Sequence, residues 1–184
     1  MHRKKSLLTI ALLGCFAASS AGATTSVALP DWLFTEGGWA DHGGVGAVGM
    51  GWHLPWSRAT ASGRFSTRLE AHVARWWLQP PGGSSWQGYQ FVLLPLLRHT
   101  WLTTTVPVFV EGGIGLSYLD QQRPHGGSFE ATRWNFHDTL AVGLQFGEHR
   151  QYELSLRLVH QSNGGVHKPN PGMNSAQVRW AVSF

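Results

Sequence analysis

Between Tyr152 and Ser162 the chain alternates with period two. Tyr152, Leu154, Leu156, Leu158, His160 and Ser162 share one parity; Glu153, Ser155, Arg157, Val159 and Gln161 share the other. Such alternation belongs to a strand with two unlike faces. In a soluble sheet the leucines would face a core and the charges water. In a transmembrane barrel the leucines face lipid and the charges the lumen. The second arrangement puts a histidine and a serine on the membrane-facing wall.

The rest of the chain favours the barrel. Charged residues make up only 13% of it, against 23 Gly and 10 Trp. After the first 23 residues no stretch offers the ~20 consecutive apolar residues of a membrane helix. A secreted β-sandwich is the competing class. Strand-like segments separated by turn signals fall at 26–39, 44–54, 63–78, 87–99, 105–119, 133–146, 151–162 and 174–184. The count is even, as for single-chain bacterial barrels, so the expected fold is all-β, an eight-stranded antiparallel transmembrane β-barrel. Pro30 and Gly37-Gly38 interrupt the first segment, and the 55–62 connection is long for an inner turn.

On the third segment Arg68, Glu70 and His72 oppose Leu69, Ala71 and Val73. On the last, Ser175, Gln177 and Arg179 oppose Asn174, Ala176, Val178 and Trp180. Arg68, Glu70, Glu111, Arg157 and Arg179 thus form a mixed-sign set for a lumen narrow enough to be filled by side chains, without an open pore.

The start of the chain addresses it for export. Arg3, Lys4 and Lys5 precede the apolar stretch Leu7 to Leu13, and Ala21-Gly22-Ala23 supplies small residues for cleavage. Residues 1–23 therefore read as a signal peptide and 24–184 as the barrel, located in a bacterial outer membrane. Leu12-Leu13-Gly14-Cys15 matches a lipoprotein signal only weakly. Cleavage after Ala23 removes the single cysteine and leaves 11 Lys+Arg against 10 Asp+Glu. Nothing in that balance suggests a nucleic-acid partner.

Long loops face outward and short turns the periplasm in such barrels. The long 120–132 connection, with Gly126-Gly127, is then outside and 147–150 inside. Trp39, Trp76, Trp77, Trp86 and Trp134 fall near the outer rim, and Trp52, Trp56 and Trp101 near the inner one, resembling two aromatic girdles. His160, Ser162 and Asn174 share lipid-facing parity on adjacent strands at outer-leaflet depth.

An imidazole can take the proton of a serine hydroxyl while a third group holds the ring in the correct tautomer. His160 and Ser162 lie on one face at ~6–7 Å along the strand. Asn163, or backbone N–H groups at Gly164-Gly165, are candidates to stabilise an oxyanion. Polar groups on a lipid-facing wall are costly and tend to be functional. A headgroup-level position, where they cost little, is the bland alternative. His42, His125 and His167 fall in outer loops, His99 and His149 near inner turns, and His72 and His137 point inward; none has metal-ligand spacing. Asp138 has outward parity and reaches the site only if its strand pairs with 151–162.

The stretch His160-Gln161-Ser162-Asn163-Gly164-Gly165-Val166-His167-Lys168-Pro169-Asn170-Pro171-Gly172 resembles the end of PagL-type lipid A 3-O-deacylases. Pro107-Val108-Phe109-Val110-Glu111-Gly112-Gly113-Ile114-Gly115 is similar to that family's fifth strand. Asn135-Phe136-His137-Asp138 with Gly143-Leu144-Gln145-Phe146 is similar to its sixth. The resemblance implies an outer-membrane barrel that hydrolyses the 3-position ester of lipid A and releases a 3-hydroxy fatty acid, without a cofactor. It implies His160 as general base, Ser162 as nucleophile and Asn163 with neighbouring backbone as oxyanion support. Lipopolysaccharide is the implied partner; a homodimer is left open. The family's third residue is a glutamate, and Asn174 stands in its place. An amide orients an imidazole but does not offset its charge. Three outcomes stay open: Asn174 suffices, a carboxylate such as Asp138 substitutes, or the barrel is non-catalytic with a structural or binding role.

Overall fold

The structure is a computed structural model that describes residues 29–184 except 82, 103–104, 126–127 and 130. The expected signal peptide and Gly126-Gly127 lie outside the described residues. The strands are β1 (Trp32–Ala40), β2 (Gly43–Ala59), β3 (Gly63–Leu78), β4 (Trp86–Trp101), β5 (Val108–Leu119), the two-residue pieces β6 (Pro124–His125) and β7 (Ser128–Phe129), β8 (Trp134–Phe146), β9 (Tyr152–Ser162) and β10 (Met173–Ser183). Eight of them close in the order β1-β10-β9-β8-β5-β4-β3-β2; β6 and β7 form a small separate ladder. Every pairing is antiparallel; barrel strands consecutive in the chain pair, β5 with β8 across the β6–β7 piece, and β1 with β10 closes the ends. Closure leaves the barrel no open sheet edge.

The departures from the expected strand limits have local causes. β1 starts only at Trp32, after Pro30, and runs through Gly37 and Gly38. β2 continues to Ala59, with a register shift between His53 and Ser57 where Leu54-Pro55-Trp56 interrupts the ladder. That bulge absorbs most of the expected 55–62 connection, so only 60–62 remains as a turn. The β4–β5 ladder skips Leu94 to Leu96, around Pro95, which has no N–H to donate.

Alternation places apolar side chains outward and charges inward. Leu93, Ile114, Leu116, Leu140, Leu156 and Leu158 are exposed on the outer wall. Inside, Arg68, Arg98, Arg157 and Arg179 meet Glu36, Glu70, Glu111 and Glu153 in one ladder. Arg98 Nη2 is 2.7 Å from Glu111, Arg157 bridges Glu36, Glu70 and Glu111 at 3.2–3.4 Å, and Arg179 Nη1 is 2.6 Å from Glu70. Arg68 lies 3.6 Å over the Trp32 ring and Arg179 3.5 Å over Phe34, so the guanidinium faces are packed as well. The expected mixed-sign set is present, with Glu36, Arg98 and Glu153 added.

Toward the end away from the termini, an apolar cluster of Val45, Ala74, Trp76, Leu78, Trp86, Leu119 and Met173 fills the lumen. Trp76 and Trp86 are therefore not girdle residues. Trp76 is 1% exposed and donates to Gln90 Oε1 at 2.9 Å, while its neighbour Trp77 points out. Consecutive strand residues cannot share a face. Trp39, Trp77 and Trp134 remain as exposed aromatics at that end and Trp56 and Trp101 at the other, where Trp52 is half-buried and Trp180 is also exposed.

Candidate active site

β8, β9 and β10 are adjacent, and their register sets one row across the outer wall. Asp138 is the cross-strand partner of His160, and His160 of Asn174. One row nearer the rim, Phe136 pairs with Ser162. His160 and Asn174 are exposed, as lipid-facing parity requires, and their side chains meet: His160 Nδ1 lies 2.8 Å from Asn174 Oδ1. The amide oxygen can only accept, so Nδ1 carries the hydrogen and Nε2 has the bare lone pair a general base needs.

Ser162 lies on the same wall two residues on. Its Oγ accepts a hydrogen bond from Gly164 N at 3.4 Å, whereas the hydrogen bond of His160 goes to Asn174. Catalytic serine–histidine bonds are often long without substrate and tighten in the reacting complex.

Asn163 is turned the other way. It is 4% exposed and ties the loop that follows: its Nδ2 donates to His167 O at 3.0 Å, and its Oδ1 accepts from Gly165 N at 3.0 Å. Its backbone N–H donates to Asn170 Oδ1 at 2.9 Å. The donors expected at an oxyanion are thus engaged at Asn163, while Gly164 N sits beside Ser162 Oγ. Gly164, Gly165 and Gly172 all have positive φ (65°, 77° and 67°), the left-handed region open to glycine. Pro169 O accepts from Ala131 N at 3.2 Å, joining this loop to the long 120–133 connection. Beneath it, Arg123 Nη1 reaches Gln161 Oε1 at 3.3 Å inside the lumen.

Three neighbours of the site were not singled out from residue types alone. Gly172 packs against the imidazole: a Cβ there would stand 3.0 Å from His160 Cε1 and 3.6 Å from Nε2. Phe136 lies under Gly164, whose Cβ would meet its Cε2 at 2.9 Å. Asn170 holds the backbone just after Ser162. The Pro-Asn-Pro-Gly run was the trace of Gly172 and Asn170 in the sequence, and Asn135-Phe136-His137-Asp138 that of Phe136.

A groove on the outer wall holds His160 and Asn174 together with Asp138, Ile114, Leu140 and Leu158. The lining is mostly apolar, a surface suited to an acyl chain lying beside an ester. Among the described residues no group of three or more His, Cys, Asp or Glu is placed to hold a metal.

Comparison with known proteins agrees with this architecture. The chain is 26% identical over 182 residues to the lipid A deacylase PagL of Pseudomonas aeruginosa, covering 97% of this chain and 98% of that protein. It is 26% identical over 175 residues to the lipid A deacylase PagL of Bordetella bronchiseptica, covering 82% and 85%. The fold superposes on the crystal structure of the outer membrane enzyme PagL with a TM-score of 0.71 at 22% identity, over 83% of this chain and 99% of that one. The family description "Lipid A 3-O-deacylase (PagL)" matches residues 43–183, and the chain belongs to that family.

Proposed function

We propose that this chain is an outer-membrane esterase that removes the 3-position acyl chain of lipid A from the outer leaflet. Ser162 Oγ attacks the ester carbonyl as His160 Nε2 takes its proton. The tetrahedral intermediate collapses by breaking the bond to the sugar 3-oxygen, which receives that proton from His160. Water, activated by the same imidazole, then releases the 3-hydroxy fatty acid from Ser162. Gly164 N–H supports the oxyanion, and Asn163 keeps that N–H in place by tying the loop. Asn174 holds the ring tautomer.

The observation that carries this reading is the 2.8 Å contact of His160 with Asn174 on the apolar outer wall, with Ser162 on the same face. Outward placement also explains how a barrel with a packed lumen reaches a substrate embedded in lipid. The site lies away from the termini, at the end with the longer loops, which corresponds to the cell exterior when both termini are periplasmic. Lipid A from cells expressing wild type and Ser162→Ala, compared by mass spectrometry, tests the reading. Loss of one 3-hydroxyacyl chain with wild type alone supports it; the same loss with Ser162→Ala refutes the nucleophile.

One feature favours the alternative of a barrel without catalysis: an amide, Asn174, stands where the resemblance to the family implies an acid. An unmodified lipid A profile from wild type would select that alternative.

A further inference from the structure

We propose that Asp138 supplies the negative charge opposite His160 that Asn174 lacks, so that the imidazole works between an orienting amide on one strand and a carboxylate on the other. This rests on the deacylase reading. The pairing of β8 with β9 and of β9 with β10 puts Asp138, His160 and Asn174 in one row. Directly opposed residues have Cβ atoms ~4.5–5.5 Å apart, within reach of a carboxylate and an imidazole.

The surroundings of Asp138 make it anomalous for a structural residue. Its other row neighbour is Ile114, and the next outward positions on its own strand are Phe136 and Leu140, all exposed apolar side chains. Leu158 flanks it on β9. Among these outward neighbours on β5, β8, β9 and β10, His160 is the one other titratable group; His167 and Lys168 lie in the exposed loop beyond Ser162. A carboxylate on an apolar outer wall is unfavourable unless it is used. Asp138 Oδ1 is also buried without any hydrogen-bond partner, although it lines the groove shared with His160 and Asn174. A covered, unsatisfied acceptor calls for a partner that appears at another stage of the reaction. The imidazolium formed when Ser162 gives up its proton is such a partner. The proton passes between Ser162 and His160 alone. It acts through His160 and is a positioning residue.

The experiment uses the full-length purified barrel in detergent micelles with lipid A as substrate, comparing wild type, Asp138→Asn, Asn174→Glu and the double variant. A charge ~5 Å from the ring at an interface-like dielectric is worth on the order of 100-fold in rate. Asp138→Asn is expected to lower kcat by that factor with KM unchanged. Asn174→Glu restores most of the rate to Asp138→Asn, a larger gain than the same substitution gives in wild type, where the charge is already present. Wild-type rate in Asp138→Asn overturns the proposal, as does a loss that Asn174→Glu leaves unrepaired or one confined to KM. Removing a charge from the outer wall leaves folding intact, so the variant should keep its heat-modifiable gel mobility. If both Asp138→Asn and Asp138→Ser fail to fold, Asp138 belongs to the scaffold and the proposal falls. An inactive wild type, or an active Ser162→Ala, refutes the deacylase mechanism itself and is distinct from all of these.

Discussion

Gly172→Ala isolates how firmly the imidazole must be held. The new Cβ would stand 3.0 Å from His160 Cε1, about 0.5 Å inside the ~3.5 Å at which carbon atoms attract. Gln161 O is 3.4 Å from the same point, so the added methyl meets backbone as well as the ring. Relief therefore moves the ring, at the expense of its 2.8 Å bond to Asn174. A misplacement on the order of 1 Å costs about 100-fold in rate, so this smaller shift is expected to cost about 10-fold in kcat. Alanine at φ 67° adds backbone strain of about 1–2 kcal/mol, which affects stability as well. Gly165→Ala separates the two effects. It carries the same kind of strain, at φ 77°, with nothing within 4 Å of the added Cβ. Urea unfolding followed by tryptophan fluorescence should show similar destabilisation in both variants, while the deacylation rate falls only in Gly172→Ala. Equal rates in the two variants would refute the idea that this contact positions the ring.

The remaining expectations concern the scaffold and the loop. Arg157→Met leaves Glu36, Glu70 and Glu111 short of one cation in a lumen where its own side chain is 2% exposed; unfolding in urea should show a loss of about 3–5 kcal/mol, and Arg157→Met with Glu111→Gln should recover part of it. Gly164→Ala drives a methyl to within 2.9 Å of Phe136 Cε2 and should lower kcat by about 10-fold or more while leaving the barrel folded by gel mobility. N-terminal sequencing of the protein purified from membranes should begin at Thr24, the residue after the Ala21-Gly22-Ala23 pattern.

Period two carried most of what could be read in advance. It assigned His160, Ser162 and Asn174 to one wall and Arg157 and Arg179 to the other, because β9 and β10 alternate without a break. It failed where alternation is absent. Phe91 to Leu97 is apolar on both faces, so neither the inward direction of Arg98 nor its place in the ion-pair ladder was visible. The β2 bulge was hidden because parity says nothing about an inserted residue. Trp76 and Trp77 looked alike as interfacial aromatics, yet neighbours on a strand must part company. The partners of His160 depend on register between strands, which turn geometry and packing decide. Strand direction already put Asn174 near its depth, but parity alone could not put Asp138 level with it. The tethers of Asn163 come from loop backbone, where side-chain pattern carries no period at all.

The consecutive residues Ser162 and Asn163 show why this fold suits a reaction at a lipid surface. An ester between acyl chains must meet its nucleophile on the outer wall, where Phe136 and the His160 ring pack against the loop. The strand's alternation divides the two tasks. Ser162 faces out, where the acyl chains lie. Asn163 faces in and fastens the loop through His167, Gly165 and Asn170, while Gln161 before it is anchored to Gln90 and Arg123. The rigidity of the site thus originates inside the cylinder, in a lumen locked by paired arginines and glutamates, and reaches the nucleophile through a single peptide unit on either side. Changes in the lumen that leave every outward side chain untouched should then loosen catalysis in proportion to their nearness to Gln161, with Gln161→Ala more damaging to kcat than the more stability-costly Arg157→Met. Rates and urea midpoints measured on the same two preparations decide this: if activity simply follows stability across both variants, the inward anchoring of Ser162 plays no separate part.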